Sequence, residues 1–119
     1  MASLWIGILV GALMVCALLM KFMAGTSGAT SADVKEKIRQ GATTIDVRTP
    51  SEYRSGHYTG AKNIPLQDLQ NRIAEIGDKD KAIVIYCASG MRSAKAAKIL
   101  TAAGFTDVTN AGGLSNLKP

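Results

Sequence analysis

Two cysteines occur in the 119 residues, Cys16 and Cys87, and they stand in very different surroundings. Cys87 follows the apolar run Ala82-Ile-Val-Ile-Tyr86 and precedes Ala88-Ser-Gly-Met-Arg92, which leads into an alanine-rich stretch. A strand, a loop of small residues and a helix start, in that order, set a sulfur atom among unpaired backbone N–H groups and at the positive end of a helix dipole. Such a nest binds anions and favours the thiolate over the thiol. Ala88, Ser89 and Gly90 are small enough for the backbone to close around the sulfur. Met91 stands at the mouth as an apolar gate or loop packing, Arg92 offers a fork suited to an oxyanion, and Ser93 opens the helix. The chemistry this suits is nucleophilic: a thiolate that attacks and then carries a group, such as a persulfide, that is itself an anion. The plain alternative is a buried strand-end cysteine with no reaction to perform.

Other candidates lie nearer the amino terminus. Asp46 ends an earlier strand, where a carboxylate can orient the loop or an arginine, or simply cap a helix. Arg48 and Arg54 can line an anion route, although arginines at such positions are commonly just solvated. His57 is the only histidine; it reads as structural and not as a general base, because a low-pKa thiolate needs none. No metal-ligand set and no cofactor motif is present. Lys and Arg number 14 against 9 Asp and Glu, a net charge of +5, with both signs interleaved and few aromatics. That pattern argues against nucleic-acid binding and leaves a mild field that favours small anionic substrates.

The elements needed to position these groups follow from the sequence pattern. Thr30-Ser-Ala-Asp33 caps a first helix that Gly41 ends. Thr43 to Val47 is a β-branched strand, and Thr49-Pro-Ser-Glu52 is a capping box for a short helix that stops near Gly56. Ala61 to Ile64 is a short strand closed by Pro65. Leu66, Leu69, Ile73 and Ile76 predict an amphipathic helix over 66–76. Ala82 to Tyr86 is a strand apolar on both faces. Ser93 to Ala103 is a helix ended by Gly104. Thr106 to Thr109 is a last strand, followed by a Gly112-Gly113 turn. Strands alternating with helices imply an α/β fold, a parallel sheet flanked by helices with its crevice at the carboxyl ends of the strands.

Residues 1–23 have a different character. Leu4 to Met20 carry no charge and Lys21 follows. Residues 4–23 are long enough to span a bilayer as one transmembrane helix, with Trp5 and Lys21 at the interfaces. Gly7 and Gly11 form a G-x-x-x-G pair suited to a helix-mediated dimer. A cleaved signal is the rival reading, with Ser27-Gly28-Ala29 as the cleavage site, but no basic residue precedes the run. The chain therefore divides into an anchor at 1–23, a linker at 24–30 and a globular domain at 31–119. The excess of Lys and Arg after the run favours a plasma-membrane protein with a cytoplasmic domain.

Taken together, Asp46-Val-Arg48, Glu52-Tyr53, Gly56-His57, Gly60-Ala61, Asn63-Ile-Pro65, Tyr86-Cys-Ala-Ser-Gly-Met-Arg-Ser93, Gly104-Phe105 and Gly112-Gly113 resemble a single-domain rhodanese. The ending Asn110-Ala-Gly-Gly-Leu114 is similar to the phage-shock-protein-E type. The resemblance implies a small rhodanese-like domain and a sulfurtransferase. It would pass sulfane sulfur from thiosulfate or a similar small anionic donor to cyanide or a thiol through a Cys87 persulfide, with residues 88–93 holding the substrate and Asp46 and Arg48 in support. It also points to a periplasmic location through a cleaved signal, against the charge bias. The same fold hosts Cys-dependent phosphatases and arsenate reductases, in which five residues separate the Cys from the Arg. Here there are four, Ala88 to Met91, and the tighter loop is the one associated with sulfur. Non-catalytic binding modules of the family usually lack the cysteine. Many relatives carry a Trp soon after the double glycine, where this chain has Ser115, Asn116 and Leu117.

Overall fold

The computed structural model describes residues 29–117. Helix α1, Ser31–Arg39, begins where the Thr30 side chain accepts the Asp33 N–H, and Gly41 with φ 101° turns the chain out after it. Strand β1, Thr43–Asp46, leads to helix α2, Pro50–Arg54. The Thr49 capping box of α2 is complete, with Glu52 reaching back to the Thr49 N–H. Strand β2 is a two-residue edge, Lys62–Asn63, shorter than the run 61–64 that was expected to form it. Helix α3, Leu66–Leu69, is followed by a 3₁₀ turn at Ile73–Glu75. Strand β3 is Ile83–Cys87, helix α4 is Met91–Ala102 and strand β4 is Val108–Gly113.

All four strands are parallel, in the order β2-β1-β3-β4. The β3 strand is interior and buried along its whole length, as its apolar run requires. Its residues alternate between two cores. Ile83, Ile85 and Cys87 pack with Ile45, Leu69 and Leu100 on one face of the sheet; Val84 and Tyr86 pack with Val34 and Leu117 on the other. Cys87 thus leaves the sheet at the carboxyl end of an interior strand, on the face that α4 covers.

Three expectations are corrected. The helix over 66–76 is broken: Asn71 and Arg72 donate to the carbonyls of Asp68 and Leu69, three residues back, and Arg72 leaves helical geometry at φ −118°, ψ 16°. Leu69 and Ile76 are nevertheless buried. Apolar spacings of three and four suit two tight turns as well as one helix, and Asp68 and Asn71 weaken the regular form. The Gly112-Gly113 pair lies within β4 and does not follow it as a turn. The pairing with β3 slips there, since Ile85 faces Asn110 and Tyr86 faces Gly112, a bulge that glycine accommodates. Helix α4 begins at Met91, two residues before Ser93, where Gly90 at φ 100° turns the chain into the helix. The apolar run 4–23 and its G-x-x-x-G pair lie outside the described residues. Among the described residues no helix is long and apolar enough to cross a membrane.

Candidate active site

Cys87 ends β3 with its side chain buried beneath residues 88–93. The Gly90 N–H donates to Sγ at 2.9 Å, and the Ser93 hydroxyl lies 3.4 Å from it. That hydroxyl is also 3.1 Å from the Gly90 carbonyl, so it chooses between sulfur and loop backbone. Burial pushes the Cys87 thiol up, but the Ser93 hydroxyl and the backbone N–H groups of Ser93, Gly90 and Ser89 outweigh it, and the net shift is downward. Gly90 bends the loop into α4 with φ 100°, a conformation open to glycine. Ala88, Ser89 and Met91 are exposed around the sulfur, and Met91 keeps 72% of its surface in solvent. Residues 87–93 thus form the nest that their order suggested.

Arg92 sits differently from the expectation of a guanidinium open to an anion. Its Nη1 and Nη2 donate to the two carboxylate oxygens of Glu52 at 2.7 and 3.0 Å, a bidentate pair joining α4 to α2. The Arg92 guanidinium in turn holds the Glu52 carboxyl down at about 2. Glu52 is legible in the sequence as a capping residue and as part of the Glu52-Tyr53 motif, and nothing in its local pattern reveals a partner forty positions away.

Asp46 and Arg48 are both buried, so the reading of Arg48 as lining an exposed anion route is also corrected. Asp46 accepts the Arg48 backbone N–H at 2.8 Å, the Arg48 side chain at 2.7 to 3.1 Å, and the Tyr86 hydroxyl at 2.6 Å. Arg48 also donates to the Gly56 carbonyl, and the Tyr86 hydroxyl accepts the Tyr58 N–H at 3.0 Å. A charge this far from water persists only with every oxygen satisfied, and here it is. The network ties the ends of β1 and β3 to the segment after α2. It meets the sulfur through the backbone, since Tyr86 and Cys87 point to opposite faces.

His57 stacks on Tyr53, ring centroids 3.6 Å apart, with Nδ1 at 2.8 Å from the Tyr53 carbonyl; it packs the turn after α2 as expected. The double glycine at the end of β4 forms a floor beneath the loop. A Cβ on Gly113 would lie 2.5 Å from the Ala88 carbonyl oxygen, and one on Gly90 would lie 3.3 Å from the Gly112 Cα. Asn110, which opens the run Asn110–Leu114, steadies this floor by accepting the Gly112 N–H at 2.9 Å. Among the described residues no cluster of His, Cys, Asp and Glu is arranged to hold a metal ion.

The rhodanese-like domain model matches residues 30–118. The chain is 45% identical over 74 residues to the thiosulfate sulfurtransferase PspE of Escherichia coli (strain K12), covering 61% of this chain and 71% of that protein. It is 35% identical over 92 residues to thiosulfate sulfurtransferase 18 of Arabidopsis thaliana, covering 66% and 68%. A solved structure of a rhodanese with anions from E. coli superposes with a TM-score of 0.61 at 43% identity, over 64% of this chain and 91% of that one. With a parallel sheet delivering a thiol into a four-residue nest, and with relatives named for sulfur transfer, the chain belongs to the rhodanese-like family and is an enzyme of the sulfurtransferase kind.

Proposed function

We propose that the domain moves sulfane sulfur from thiosulfate or a similar donor to cyanide or a thiol, carrying it as a persulfide on Cys87. The observation that carries this reading is the nest itself: Sγ receives the Gly90 N–H at 2.9 Å with the Ser93 hydroxyl beside it. In the first step the Cys87 thiolate attacks the outer sulfur of thiosulfate. An S–S bond forms to Cys87, the donor S–S bond breaks, and sulfite leaves with the electron pair. In the second step cyanide attacks the outer persulfide sulfur, thiocyanate leaves, and the thiolate returns. A thiol acceptor takes the sulfur in the same way and gives up its proton. The loop N–H groups that favour a thiolate favour the persulfide anion equally. The four-residue spacing from Cys87 to Arg92 supports sulfur over phosphate, because a tetrahedral phosphate needs a wider loop. Among the described residues Cys87 is the only thiol, so the acceptor comes from outside the domain.

Thiosulfate treatment should add one sulfur atom, about 32 Da, to the intact chain and nothing to Cys87→Ser, and a reducing thiol should remove it. An unchanged mass with every sulfane donor tried would refute the reading.

We also propose that residues 4–23 anchor the protein in the plasma membrane with the domain on the cytoplasmic side. No Lys or Arg precedes the run, whereas Lys21, Lys35, Lys37 and Arg39 follow it.

A further inference from the structure

The loop around Cys87 contains one cation, Arg92, and that cation is already engaged. Glu52 accepts from both terminal nitrogens of its guanidinium, Nη1 and Nη2, at 2.7 and 3.0 Å, and neutralises its charge. The other arginine near the carboxyl ends of the strands, Arg48, is spent on Asp46 inside the protein. Lys95 and Lys98 lie further along the exposed side of α4, outside the loop. The remaining loop side chains are the small Ala88 and Ser89 and the 72%-exposed Met91, an apolar group at the entrance. An incoming donor therefore meets backbone N–H groups and an apolar thioether, with a neutralised ion pair beside them.

We propose that Glu52 is a specificity-determining residue: by occupying Arg92 it leaves the sulfur loop without a free cation. The loop then favours a sulfane donor of single negative charge with an organic body over the thiosulfate dianion. This rests on the persulfide reading above and names the donor class for it. Methanethiosulfonate is such a donor, differing from thiosulfate by a methyl group in place of one charged oxygen. The Cys87 thiolate attacks its outer sulfur, the donor S–S bond breaks, and methanesulfinate leaves with the electron pair. Charge is conserved, because one thiolate and one monoanion become one persulfide anion and one sulfinate.

The test is the ratio of kcat/KM for methanethiosulfonate to that for thiosulfate, with cyanide as acceptor. Glu52→Gln keeps a residue able to complete the capping box while releasing Arg92. The ratio should fall about tenfold, chiefly through a lower KM for thiosulfate, as a charge-assisted fork becomes available to the dianion. Arg92→Gln strands the Glu52 charge beside the loop, and the ratio should rise. The double variant restores a neutral pair, and its ratio should return to within about threefold of the parent. An unchanged ratio in Glu52→Gln overturns the proposal. So does a double variant as poor with thiosulfate as Arg92→Gln alone, because Arg92 would then be reaching the donor despite Glu52. Failure of both donors to load Cys87, read by intact mass, would instead refute the persulfide reading.

Discussion

Burial alone would leave Cys87 a neutral thiol, because removing sulfur from water penalises its charged form. The opposing group with the most leverage is the Ser93 hydroxyl, followed by the N–H groups of Ser93, Gly90 and Ser89. Ser93→Ala deletes that hydroxyl and leaves the backbone in place. The pH midpoint of Cys87 alkylation by iodoacetamide should move upward, since the lost donor stabilised only the thiolate. Below the midpoint, the alkylation rate should fall on the order of tenfold, the scale of one hydrogen bond to a charged group. A midpoint that stays in place would assign the thiolate to the backbone alone. At this scale Cys87 and its loop were legible, because strand, small residues and helix start are contiguous in the chain. The partner of Arg92 was not, whereas Asp46 was readable as a carboxylate that orients an arginine, and that arginine is Arg48. A guanidinium looks the same in sequence whether it faces water, a ligand or a buried carboxylate, and Glu52 reaches Arg92 only through tertiary packing.

The loop is held between two elements, α4 above and the glycine end of β4 below. Gly113 touches the backbone of Ala88, and backbone cannot swing aside as a long side chain can. Gly113→Ala should cost about 1–3 kcal/mol of stability in urea unfolding and should also slow persulfide formation, because the loop must lift. Gly77→Ala is the matched control. It has a left-handed φ of 101° and open space around a Cβ, so it should cost about 1–2 kcal/mol while leaving sulfur transfer at the parent rate. Equal effects of the two on activity would remove the floor from the mechanism. Element types and order were largely readable, since caps and apolar runs are local signals. The continuation of β4 through two glycines was not, because glycine disfavours strands except where another backbone approaches. The broken helix over 66–76 escaped for a related reason: periodicity reports which residues face the core and not how tightly the backbone winds between them.

At the scale of the whole molecule, the parallel order β2-β1-β3-β4 gathers the ends of β1 and β3 at one edge. The alternating elements implied that arrangement. Where the domain sits in the cell depends on the amino-terminal run and the basic residues after it. If residues 4–23 hold the domain on the cytoplasmic side, protease added to intact spheroplasts should leave it whole. Digestion there, or release of a soluble fragment beginning near Thr30, would place it on the outer side.

The Tyr86 hydroxyl, enclosed with Asp46 in the interior, also limits the conditions the domain can withstand. Burial, reinforced by the Asp46 carboxylate, pushes its pKa up to about 12. In an unfolded chain a phenol releases its proton near 10. Between those two values the unfolded form gives up a proton that the native form keeps. Native stability therefore falls as alkalinity rises through that interval, and the fold has less tolerance of strong base than its apolar core alone would provide.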